Sequence, residues 1–403
     1  MAERIPAPSL GDEVSWVRRH LGDLLDGEPT VPPIRGGQAA ADAALSGFDV
    51  SGYATRRNEV WPSGRRGASR LSPYIRHGLI PLRRAWDAVR GGPGKDVTKF
   101  RDELLWQEYA RHLYARLGAS TGSSLRFEVP GGVGSGAAWP EGMVCVDEAV
   151  GELTSGWLTN QQRMWLASQW TVRDGWDWRA GEDTFFRHLL DGSRAANRTG
   201  WQWTVGALTG KAYGFSRWQV EKRAPGLCGR CPLARECPID EWPDERELRP
   251  RGDVDPRLRR DPDLSATAGP RERAGSDEPS AVWMTAESLG DDDPALRAHP
   301  ALPAVFVWDL PLLSRLRLAP GRLIFLAQCL ADLADRREVE VLVGDPVAAL
   351  QGRALAATFT PVPGWRRRSA YLSLAVTYPW PWLLRPHEGP LTSFTAWRRT
   401  TGA

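Results

Sequence analysis

Residues 244–280, DERELRPRGDVDPRLRRDPDLSATAGPRERAGSDEPS, hold 18 charged residues and five prolines, and not one aromatic. A stretch of that composition buries too little apolar surface to offset its ordering entropy, so it is expected to be a flexible linker. It divides the 403-residue chain into two bodies with different hydrophobic periodicity. The length suits two domains at roughly 100–200 residues each.

The first body is expected to be all-α. KFRDELLWQEYARHLYARL (Lys99–Leu117) sets Phe100, Leu104, Ala110, Leu113 and Leu117 at helical spacing, and GWLTNQQRMWLASQWTV repeats the pattern. The second body alternates short apolar runs (AVWM, AVFVW, EVEVLVG, ALAATFT, YLSLAVTY) with an amphipathic PGRLIFLAQCLADLADRR. That alternation predicts a parallel α/β sheet of about five strands, Rossmann-like in class. The expected boundaries are 1–35 as a connecting segment, 36–243 as the helical domain, 244–280 as the linker and 281–403 as the α/β domain.

With 42% hydrophobic and 25% charged residues the chain reads as a soluble globular protein. No apolar run reaches the roughly 18 residues of a membrane span, and MAERIPAPSLGDEV lacks a signal-peptide core, so a cytoplasmic protein with no membrane partner is expected. The formal charge is only +3, from 48 Arg and 4 Lys against 49 acids, so a polyanion would have to be met by a local patch. Tryptophan is abundant, 20 residues, and 14 of them lie before the linker. So many large rings in one body call for packing partners or a ligand to stack on.

Three segments of the first body carry specific motifs: SRLSPY at residues 69–74, ELLWQEY at 103–109, and DWRAGE with AANRTGWQW between residues 177 and 203. In this order they resemble the flavin-binding domain of the DNA photolyase/cryptochrome family. The second body is similar to that family's antenna-type α/β domain, which normally precedes the flavin domain. The chain therefore resembles a circularly permuted member, with the flavin domain first. The first strand of the α/β domain leads into MTAESLG, where the family carries an Arg-containing turn, which leaves an antenna chromophore uncertain.

The resemblance implies FAD as cofactor. It places Tyr53 and the Ser69-Arg70-Leu71-Ser72 turn on the diphosphate, Arg163 and Asp191 at the isoalloxazine edge, and Asn197 facing N5. Phe100, Gln107 and Ser193 also fall at cofactor-binding positions, Gln107 where the family has Arg and Ser193 where a second acid is common. Glu103, Trp106, Asn160, Met164 and Trp203 match the lesion-contacting positions. Their types suit a base extruded from the duplex: indoles to stack on, an acid and an amide for polar edges, and a thioether for packing. WLTNQQRM lacks the His that repair of (6-4) photoproducts needs, which favours cyclobutane dimers. Trp201 and Trp178 match the flavin-proximal members of the family's electron relay. Phe127 stands at the outer position, with Trp165, Trp170 or Trp176 as other exits.

LCGRCPLARECP gives Cys228, Cys231 and Cys237 in a C-x2-C-x5-C spacing. Three thiols so close in a cytoplasmic protein suggest metal before disulfide. With Cys145 as a fourth ligand, the layout resembles the iron–sulfur branch of bacterial cryptochromes and photolyases. A four-iron four-sulfur cluster and a structural zinc are both compatible with four thiolates. Cys329 is expected in the core of a helix. Candidate phosphate contacts are Arg65, Arg66 and Arg217, while Arg366-Arg367-Arg368 reads as solvated surface. The expected protein is a monomeric photolyase acting on UV-damaged DNA; a cryptochrome-like photoreceptor without repair is the alternative.

Overall fold

The computed structural model describes residues 2–132, 136–245 and 247–402. The five apolar runs of the second body form β2 (Ala281–Met284), β3 (Ala304–Asp309), β4 (Val339–Gly344), β5 (Leu355–Thr358) and β6 (Leu374–Tyr378). All five are parallel, in the order β4-β3-β2-β5-β6. That is a doubly wound arrangement whose switch point lies between β2 and β5. β2, β3 and β5 are buried almost throughout, as central strands covered on both faces require, while β4 and β6 are partly exposed. The crossover helix Pro320–Ala334 buries Cys329 as expected.

Two expectations are corrected. Residues 1–35 do not merely connect. Glu3–Ile5 forms β1, an antiparallel edge strand with Glu3 opposite Val343 and Ile5 opposite Val341. The following helix, Glu13–Leu21, packs on Pro320–Ala334, with the Trp16 ring 5.8 Å from Trp308. A three-residue strand with one buried side chain offers no alternation for a sequence reading to detect.

Residues 244–280 are not a free linker either. Leu248, Leu258, Thr267 and Ala268 are buried, and short helical turns occupy Pro256–Leu258 and Leu264–Ala268. Asp261 forms a 3.0 Å ion pair with Arg116, both side chains almost wholly enclosed. Composition counts each charge as solvated, whereas here charges are spent on specific partners, and the segment becomes a packed strap between the domains.

Helix Gly94–Leu117 receives the C-terminal segment along its buried face. Glu108 accepts from the backbone N–H of Leu383 and Leu384, and the Tyr109 hydroxyl donates to Leu391 O at 2.9 Å. His112 lies between Leu384 O, 2.8 Å from Nε2, and Trp397 Nε1, 3.0 Å from Nδ1. These neighbours fix a neutral ring protonated on Nε2, and burial lowers its pKa to about 3. Because the folded value lies below the ordinary 6.5, the stabilisation is complete above pH 6.5 and is lost as pH falls toward 3. Its full size is on the order of 5 kcal/mol. His112→Gln keeps both hydrogen bonds without titrating. In urea unfolding, the wild type's stability relative to H112Q should therefore decline between pH 7 and pH 4, and a constant difference would refute this role for His112.

Candidate functional site

The sequence T-N-Q-Q at 159–162 builds a capping box: Thr159 Oγ1 accepts from Gln162 N while the Gln162 side chain takes the Thr159 N–H. This fixes the start of helix Asn160–Ser168 and aims Arg163 at the Leu189–Ser193 loop. Arg163 Nη2 meets Asp191 Oδ2 at 2.7 Å and also donates to Leu158 O. The other Asp191 oxygen is buried without a partner, as is Asn197 Nδ2. Asn197 and Trp201 lie four residues apart on helix Arg194–Thr204, hence on one face. Trp201 Nε1 is likewise buried and unpartnered. Buried polar atoms are normally satisfied, so Asp191 Oδ1 and Asn197 Nδ2 have the character of atoms that meet a polar ligand. Ser193 precedes the same helix in extended conformation, with no capping hydrogen bond from its side chain.

A second set lies at the Ser69–Ser72 turn. Arg70 has φ +58°, the left-handed region that a non-glycine residue rarely occupies, and Leu71 follows in right-handed geometry. Consecutive residues of opposite hand form a concave nest of backbone N–H groups suited to an anion. The Arg70 guanidinium lies 5.3 Å from the Trp157 ring, and Trp157 Nε1 is 3.3 Å from Ser72 Oγ. Tyr53 is buried, its turn tied to helix Gly94–Leu117 by Asp96, which accepts from Gly52 N and Ala54 N. Phe100 departs from its expected role: at 2% exposed it is clamped between Phe48 and Tyr53 and serves as core beneath the site. Gln107 is half-buried on the same helix.

The lesion candidates sit on three helices that meet: Gly94–Leu117 and Asn160–Ser168 both pack on Arg194–Thr204. Asn160 is exposed, its Nδ2 3.5 Å from Met164 Sδ, and half-buried Trp203 lies 5.9 Å from Tyr213. Glu103 is held by Lys99 at 2.9 Å and Arg57 at 3.1 Å. Trp106 departs from the picture of a free stacking platform. Phe394 of the C-terminal helix lies parallel to it, 4.1 Å between centroids and 9° between planes, so one face is already taken. That contact joins residues 288 positions apart and left no trace in the sequence pattern.

Trp178 and Trp201 share one buried core with Trp165 and Trp170. Within it Trp201 meets Phe185 edge-on at 5.1 Å, Phe185 lies 6.2 Å from Trp139, and Trp139 is 4.6 Å from Trp170. Gly181 of the DWRAGE motif is dictated by this packing, since a Cβ there would come 2.2 Å from the Trp201 ring. Half-exposed Trp139 escaped the sequence reading because its loop has no periodicity. Phe127 is instead drawn into a bridge with Pro250 of the strap.

Cys145, Cys228, Cys231 and Cys237 line one enclosed cavity of about 20 Å³, with Met143, Leu227 and Ile239 among the apolar walls. None is in a disulfide. Burial, and then the neighbouring thiols, push the Cys145 pKa up to about 12, a direction that a bound cation would reverse. Among the described residues no group of three or more His, Cys, Asp or Glu is arranged to hold a metal ion.

The expected phosphate contacts are committed elsewhere. Arg66 forms a two-pronged pair with Glu152 at 2.6 and 2.9 Å, and Arg65 pairs with Glu59 at 3.3 Å. Arg217 pairs with Glu221 and donates to Ala234 O inside the cysteine loop. Of the triple arginine, Arg366 donates to Ala115 O and Ala266 O and Arg368 pairs with Asp309, so two of the three are structural rather than solvated. Arginine is common enough in this chain to serve as its general-purpose tie, which sequence cannot distinguish from a DNA-facing cation.

The chain is similar to known proteins over the region that contains these features. The family described as the FAD binding domain of DNA photolyase matches residues 100–221. A deoxyribodipyrimidine photo-lyase of Synechococcus is 33% identical over 219 residues, covering 49% of this chain and 44% of that one. One from Thermus thermophilus is 35% identical over 199 residues, 46% of each. Among solved structures, a bacterial class III photolyase from Agrobacterium tumefaciens is 24% identical with a TM-score of 0.35, over 49% of this chain and 41% of that one. Residues 100–221 of the helical body thus resemble the FAD-binding domain of DNA photolyases. The chain is similar to DNA photolyases through this region, and it spans somewhat under half the length of the curated relatives it matches.

Proposed function

We propose that this protein binds FAD in its helical domain and splits cyclobutane pyrimidine dimers in UV-damaged DNA under light. The observation that carries the reading is the Arg163–Asp191 pair, whose Asp191 Oδ1 is buried and unpartnered, in the same matched segment as the buried, unpartnered Asn197 Nδ2. Bound reduced FAD supplies, once excited by light, the electron that opens the dimer. The chain supplies position and electrostatics. The Arg70–Leu71 nest and Ser69 and Ser72 cradle the diphosphate, with Tyr53 beside them. Asp191, oriented by Arg163, and the Asn197 amide bind the polar edge of the ring system, and Gln107 and Ser193 complete the contacts without charge. Trp203, the open face of Trp106, Met164, Asn160 and Glu103 receive the extruded bases. Phosphate contacts position the duplex and carry no sequence code, so lesion selectivity falls to this pocket.

Trp201 and Trp178 are the proposed relay for reducing the flavin, with Trp139 and Trp170 as the exit. Trp201→Phe should slow photoreduction of the bound flavin at least tenfold while FAD stays bound; unchanged photoreduction would remove Trp201 from the route.

The four half-buried free thiols lining one small, mostly apolar pocket are of the type that holds a metal group as thiolates. A four-iron four-sulfur cluster is preferred to zinc because the layout of Cys145, Cys228, Cys231 and Cys237 resembles the iron–sulfur branch of the family. The β2–β6 order, following the helical domain, supports the permuted arrangement.

The engaged cations and the covered face of Trp106 favour the second reading, a cryptochrome-like photoreceptor without repair. The absorption spectrum of anaerobically purified protein tests both readings: flavin bands are expected, with a broad iron–thiolate shoulder. Absence of flavin would overturn both, and iron-free protein holding stoichiometric zinc would overturn the cluster.

A further inference from the structure

The segment that carries Asp191 is held from across the domain boundary. Arg322, on helix Pro320–Ala334 of the α/β domain, donates through Nη2 to Gly192 O at 3.0 Å and through Nη1 to Phe186 O. Its guanidinium also lies 4.9 Å from the Phe186 ring. The backbone N–H of Ala319, three residues earlier, donates to Arg187 O at 2.9 Å. From the helical side Arg76 donates to the same Gly192 O at 3.1 Å and pairs with Glu287 of the α/β domain at 2.9 Å. His77 spans Leu190 O and Ala286 O, again one carbonyl from each domain. A Cβ at Gly192 would stand 2.7 Å from Arg322 Nη1 and 2.7 Å from Phe186 O, so the grip requires glycine there.

Arg322 makes no ion pair among the described residues, yet it is buried. A buried guanidinium without a carboxylate partner is costly and would not persist for packing alone. The nearby charge that most favours its cationic form is Asp191. Arg163, Arg322 and Arg76 thus surround a loop with a single acid.

We propose that the α/β domain is a working part of the flavin site, with Arg322 as a positioning residue that fixes the Phe186–Gly192 carbonyls, sets the direction of Asp191 and places a positive charge behind the bound flavin. The inference rests on the FAD reading above and adds to it a role for the α/β domain that needs no chromophore of its own. Arg322 acts through the loop and touches no reacting atom.

The test uses full-length wild type, Arg322→Met and Arg322→Lys, and measures FAD dissociation constant, midpoint potential of the bound flavin, and thermal unfolding. R322M should bind FAD about tenfold more weakly or worse, the size of one lost charged hydrogen bond, and its flavin potential should move to more negative values. R322K keeps the charge but not the two-carbonyl fork, so it should restore the potential while leaving affinity reduced. Wild-type affinity and potential in both variants, with only a lowered unfolding temperature, would overturn the proposal. If R322M does not fold, R322K decides alone: wild-type FAD affinity overturns the proposal and reduced affinity at an unchanged potential supports it. A wild type that binds no FAD would instead overturn the flavin reading itself.

Discussion

Asp261→Ala is expected to destabilise the chain by about 3–5 kcal/mol, the cost of leaving one member of a buried ion pair alone. Arg116 and Asp261 are 1% and 2% exposed, and Arg116 also donates to Arg257 O, Gly389 O and His387 O. One guanidinium therefore ties the long helix, the strap and the C-terminal segment together. Asp261 further accepts from Asp263 N at 3.0 Å, which shapes the strap itself. Urea unfolding of D261A beside Asp253→Ala makes the comparison, because Asp253 pairs with Arg251 at the surface and its removal should be close to silent. A loss below about 1 kcal/mol in D261A, within the range of an exposed pair, would return residues 244–280 to the status of a passive linker.

Asp191→Ala is expected to weaken FAD binding about 100-fold, which corresponds to losing one hydrogen-bonded charge, about 3 kcal/mol. The variant removes the buried, unpartnered oxygen and also frees Arg163, leaving it only Leu158 O. Asp191→Asn preserves shape and part of the hydrogen bonding, so its loss should be smaller. Flavin absorbance per protein after gel filtration reads both. D191A that retains stoichiometric FAD at wild-type affinity would move the flavin away from this loop.

The parts of the fold legible in sequence were those with long, regular patterns. Strands β2 to β6 stood out as β-branched runs, and helix Gly94–Leu117 through its spacing of Phe100, Leu104 and Leu113. What escaped was built from single contacts. Strand β1 buries one residue, and the strap is held by a few apolar side chains and by charges that find partners far away in sequence. The site divides in the same way. Arg163 and Asp191 are 28 residues apart, and their pairing became readable through motifs and the resemblance they carry rather than through periodicity. Arg322 and Phe394 reach their targets only after the second domain has docked, so nothing local marks them. Arg66 and Arg217 show the opposite: a cation in the sequence carries no sign of the carboxylate it will meet.

Light-driven dimer repair is read on a defined substrate. Purified protein carrying photoreduced FAD is mixed with an oligonucleotide containing one thymine cyclobutane dimer and divided between blue light and darkness. Chromatography should then show the dimer converted to two thymines in the illuminated sample and intact in the dark one. A protein that holds FAD, photoreduces it and leaves the dimer untouched in the light would contradict the account and place the chain with the photoreceptors.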